Sequence, residues 1–142
     1  MDYEMSERFS EMAFAVMQAV PELRWISEAG ISVGVLSCYK PKRSGGKDVL
    51  GECVKVEGKY KPFCPFDFLI IIYELNITGM TENQLKVLLW HELRHIGWDF
   101  NKQKAKIIPH DIEDFYSIIG RFGIRWSDPG FSLPDITAEG GG

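Results

Sequence analysis

The sequence predicts an α+β fold. Three observations carry that expectation. Two long stretches place apolar residues at helical spacing, three short runs rich in Val, Ile and Leu have strand length, and Gly- and Pro-bearing turns separate them. The chain has 142 residues, 45% hydrophobic and 25% charged. That is enough for one domain with a sizeable core and no disulfide staples. We expect residues 1–127 to form this domain. Asp128-Pro129-Gly130 reads as a turn, and residues 128–142 as a loose C-terminal tail.

The elements follow in order. Residues 4–20 carry Met5, Phe9, Met12, Ala13, Val16, Met17 and Val20 on one face of an amphipathic helix, which Pro21 stops. Residues 31–39 read as a strand and the Lys-, Gly- and Pro-rich residues 40–47 as a loop. Residues 49–56 are a second strand and 59–65 a turn region. Residues 67–75, DFLIIIYEL, are apolar enough for a central strand. Thr81 is a good N-cap with Gln84 in capping-box position, so a helix runs from there to a stop at Gly97. Its apolar residues lie nearly all round, which marks it as central and buried. Residues 99–109 read as a polar connection. A last helix begins near His110 or Asp111 and ends around Gly123. The expected assembly is a small, mostly antiparallel sheet of three or four strands. The N-terminal and central helices pack on it, and the third helix faces the central one.

Composition narrows the function. Net charge is −4, which argues against whole-surface nucleic-acid binding. Two lysine groups, Lys40, Lys42, Arg43 and Lys47, then Lys102, Lys104 and Lys106, leave a local basic patch as an alternative to plain solvated loops. No apolar run is long enough to span a bilayer, and the N-terminus lacks a signal-peptide pattern. A cytoplasmic protein is expected. Cys38, Cys53 and Cys64 have no CxxC spacing and read as small buried hydrophobes.

The three histidines all fall between 91 and 110. Residues 91–95 are His-Glu-Leu-Arg-His. On a helix, positions i and i+4 share a face, so His91 and His95 can point at one metal ion. Glu92 is turned about 100° from His91, placed to reach a water without being a ligand. Hydrolytic zinc wants this set: two imidazoles, a third protein ligand, and an open position for water. Glu92 is then the general base, acting on water whose pKa the metal lowers toward ~7. His110 is the preferred third ligand, with Glu113 and Asp114 behind it. Asp111 and Asp114 are candidates to orient a ligand histidine. Arg94, Tyr73 and Tyr116 are candidate donors to a developing oxyanion. The competing reading is a buried helix whose histidines are simply hydrogen-bonded.

At this point the sequence resembles the putative phage metallopeptidase family of zincin-like proteins. The matching segments are Val49-Leu50-Gly51-Glu52-Cys53 with Lys55, residues 66–74, and Leu88-Leu89-Trp90 leading into the His91–His95 motif. Pro109-His110-Asp111-Ile112-Glu113-Asp114-Phe115 and Arg121-Phe122-Gly123-Ile124 with Trp126 complete them, so the likeness spans about residues 5 to 126. The order of helix, strands and motif helix is also similar to SprT-like zincins. The resemblance implies a Zn2+ site at His91, His95 and His110 with Glu92 as base. The expected function is a zinc metallopeptidase acting on a protein or peptide, in the host-cell cytoplasm if the chain is phage-encoded. The alternatives are a catalytically silent, zinc-stabilised inhibitor or adaptor, and a DNA-associated SprT-like protease.

Overall fold

The structure, a computed structural model, describes residues 2–109, 118, 126–127 and 132–138. The chain begins extended. Strand β1 (Tyr3–Met5) pairs antiparallel with β2 (Val33–Cys38), Met5 opposite Leu36. Helix α1 (Glu7–Ala19) therefore starts later than its apolar spacing suggests. Ser6 caps it by accepting from the Phe9 amide at 3.1 Å, and Met5 belongs to the sheet. Pro21 opens a 3-10 turn, followed by the short helix α2 (Arg24–Glu28).

Between β2 and the next long strand, residues 40–47 are more than a plain loop. Two-residue strands β3 (Arg43–Ser44) and β4 (Lys47–Asp48) make a small hairpin turned by Gly45 and Gly46, both at positive φ. Strand β5 (Gly51–Lys55) then forms the far edge of the main sheet, and β6 (Phe68–Tyr73) returns between β5 and β2. The main sheet order is β1-β2-β6-β5. Its outer pairings are antiparallel and the central β2–β6 pairing is parallel, so the sheet is mixed, with two of its three pairings antiparallel. The cause is the order of filling. The chain passes to the β5 edge first and leaves the central slot to FLIIIY, the most apolar segment.

Helix α3 (Glu82–Leu93) has the expected capping box between Thr81 and Gln84. Together with α1 it covers one face of the sheet. Val35, Phe68, Ile70 and Ile72 meet Phe9, Val16, Leu85 and Leu89 in one core. Burial almost all round α3 agrees with its sequence; even Gln84 and Glu92 are buried.

Helix α3 ends four residues before the expected stop at Gly97. Gly97 lies instead in β7 (Ile96–Asp99), which pairs with β8 (Lys104–Ile107). These residues form a hairpin where the sequence suggested a polar connection. Asp99 accepts from the amides of Asn101 and Lys102 and shapes its turn. A Cβ at Gly97 would sit 2.6 Å from Ile108 Cγ2, so this glycine serves a close approach and not a helix end.

The described part of the C-terminal segment corrects the expectation of a loose tail. Leu133 and Ile136 are buried in the core. The Leu133 carbonyl accepts from Asn83 Nδ2, and Asp135 pairs with Lys86 at 2.9 Å. Ile118 is buried, but most of the expected third helix, with His110, Asp111, Glu113, Asp114 and Tyr116, lies outside the described residues. Among the described residues no helix is long and apolar enough to cross a membrane.

Candidate metal centre

The last turn of α3 carries His91 and Glu92. His95 stands two residues past the helix, where the chain bends into β7. The bend stays tied to the last helical turn: the His95 amide donates to the Glu92 carbonyl at 3.1 Å. The strand beyond then fixes its ring. His95 and Ile108 extend the β7–β8 ladder through the Ile108 amide and the His95 carbonyl, 2.7 Å apart. The Ile108 carbonyl lies 2.7 Å from His95 Nδ1. A backbone carbonyl on Nδ1 selects the tautomer protonated there, whose Nε2 carries the lone pair a metal would take.

Potential ligand atoms of His91, Glu92 and His95 all lie within 4.8 Å of one another. The imidazoles meet edge-on, centroids 5.5 Å apart, and Trp126 backs His91 at 5.9 Å. Glu92 is only 3% exposed, with its Oε2 4.0 Å from His91 Nε2. Two imidazoles beside a carboxylate buried this deeply are a donor set suited to a divalent cation.

The three side chains line a cleft of about 230 Å³ with Gly51, Glu52, Cys53 and Ile107. The cleft thus lies between edge strand β5 and strand β8. Gly51 lets β5 pass close to the carboxylate: a Cβ there would be 3.4 Å from Glu92 Oε2. Burial, and next the Glu92 carboxylate, push the Cys53 thiol well up. All three cysteines are free; Cys38 is buried and the other two are half-buried.

Of the oxyanion candidates, Arg94 and Tyr73 do not line this cleft, and Tyr116 lies outside the described residues. Arg94 Nε lies 3.4 Å from Glu22 Oε2, and Trp90 donates to the other oxygen of Glu22 at 2.7 Å. That carboxylate is a partner of Arg94. Tyr73 is not among the cleft-lining residues; its hydroxyl donates to Glu52, which also takes Lys42 at 2.8 Å. Burial raises the Glu52 carboxyl, but these two hydrogen bonds outweigh it and hold the group below its usual range. The Ile108 carbonyl and Gly51 are site residues that sequence reasoning did not assign a role. Only the pairing of distant strands reveals the first. The second had a weak signal, a glycine inside a strand pattern.

An α+β fold with two imidazoles and a carboxylate gathered in one cleft defines a candidate metalloprotein. The chain belongs to the family described as Putative phage metallopeptidase, whose family model matches residues 1–131. Neither curated proteins nor solved structures give a match.

Proposed function

We propose that this chain is a zinc-dependent peptidase of the zincin type. The observation that carries the reading is the His91–Glu92–His95 cluster lining a cleft beside β5, a strand at the edge of the sheet among the described residues. Family membership supports the same reaction class. His91 and His95 would hold the metal, with His110 as third ligand. Ile108, whose carbonyl meets His95, precedes His110 by two residues, and two residues span at most ~7 Å. Asp111 and Asp114 would orient a ligand histidine. Bound there, zinc would supply Lewis acidity toward a carbonyl and toward water.

The chain's own groups do the rest. Glu92 takes a proton from the attacking water and delivers it to the amine nitrogen as the peptide bond breaks. Burial of Glu92 keeps competing solvent away from that transfer. The edge of β5 that no described strand pairs with holds the substrate backbone extended by main-chain hydrogen bonds. The protein is expected to act in the cytoplasm on a protein or peptide. Glu92→Gln tests the chemistry: cleavage should fall by at least ~100-fold with metal content unchanged. A full biological effect from the Glu92→Gln chain would instead support a silent adaptor.

A further inference from the structure

We propose that the slot between β5 and β8 selects an extended peptide with Asp or Glu two residues from the one held beside Cys53. The proposal rests on the peptidase reading only in taking an extended peptide as the ligand. Gly51, Cys53 and Lys55 share one face of β5 because side chains alternate along a strand. Gly51 and Cys53 line the metal cleft. Lys55, about 7 Å further along, lines a neighbouring hollow of about 540 Å³.

Its charged lining is three lysines, Lys55, Lys61 and Lys104, against two carboxylates, Glu57 and Asp67. Lys61 and Asp67 are paired with each other, and burial, the largest effect on Asp67, is outweighed by its hydrogen bonds to Lys61 and Ser32. Lys104 has no ion pair with a described carboxylate. Lys55 is half-buried, and its Nζ donates to a neutral acceptor, the Ala105 carbonyl, at 2.8 Å. A half-buried ammonium held, among the described residues, only by a carbonyl still favours an anion. Its bond to Ala105 also closes this end of the slot, so a peptide paired along β5 must meet the amine. In a paired strand, directly opposite residues face the same side. The peptide residue beside Lys55 is therefore two removed from the one beside Cys53.

The test measures binding, so that it does not depend on turnover. The full-length Glu92→Gln chain, supplied with zinc, is titrated into fluorescein-labelled octapeptides that differ only by Glu, Gln or Lys scanned along the sequence. The expected result is tighter binding of Glu than Lys, by at least fivefold, at one position only. Lys55→Glu should reverse that order. Lys104→Glu should weaken it, a second check should the first variant fold poorly. Equal binding of Glu and Lys peptides at every position overturns the proposal, as does no binding or a preference unchanged in both variants. An octathymidylate that binds more tightly than the best Glu peptide also overturns it, by making the patch a nucleic-acid surface. Wild-type cleavage without the Glu preference removes this proposal and leaves the peptidase. The Glu preference without any cleavage by wild type does the reverse.

Discussion

Gly51 and Gly97 are the residues whose smallness the site depends on most directly. At Gly51 a Cβ would approach the Ile71 carbonyl at 3.1 Å and Glu92 Oε2 at 3.4 Å. The two methyls of Gly51→Val must displace the Glu92 carboxylate. Cleavage should fall about 10- to 100-fold, since small misplacements of a catalytic group are costly, while elemental analysis finds unchanged metal. Gly97→Ala acts on the other wall. Ile108 must move, and with it the carbonyl that holds His95. We expect a loss of about 1–3 kcal/mol in stability from overpacking. Metal affinity should fall about 10-fold or more, since His95 loses its orienting partner. Metal titration after chemical denaturation curves would separate the two effects.

At the scale of elements, α3 matters most. Its start was legible because capping is local: Thr81 and Gln84 satisfy each other's backbone. Thr81→Ala should cost about 1 kcal/mol in unfolding free energy. The three long strands were legible as apolar runs, and β6 as central by its FLIIIY core. The end of α3 and the β7–β8 hairpin were not. Each hairpin strand has four residues, and the lysines of β8 read as loop. Tertiary contacts hold it, namely Ile108 over Gly97 and Lys55 on Ala105. The histidine pair was legible at helical spacing, yet His95 lies past the helix and owes its aim to a residue 13 positions away.

The C-terminal segment gives the elements a pH signature. Hydrogen bonds from Thr137, then Lys86, hold the Asp135 carboxyl down to about 2. A depressed carboxyl contributes stability above its unfolded value near ~4 and loses it as pH falls toward the folded one. Because Asp135 is partly exposed, about 1 kcal/mol is a fair expectation for the contribution. Asp135→Asn should therefore be less stable than wild type at pH 7, with the gap closing between pH 4 and 2. A gap that stays constant over that window would contradict the assignment.

Across the whole molecule, one centre joins the layers. Helix α3 brings His91 and Glu92, the β7–β8 hairpin steadies His95, and the edge of the main sheet forms the opposite wall. A metal bound there ties hairpin to helix, so it should stabilise the folded state by mass action. At a hundredfold excess over its dissociation constant the gain is ~2.7 kcal/mol. Chelation should lower the unfolding midpoint in wild type and leave His91→Ala unmoved.

The most direct measurement is metal stoichiometry by elemental analysis, on untagged wild type and on His91→Ala and His110→Ala. About one zinc per wild-type chain, with marked loss in both variants, is the expected result. No transition metal in wild type, even after zinc is added back, would contradict the metal centre and the peptidase reading with it.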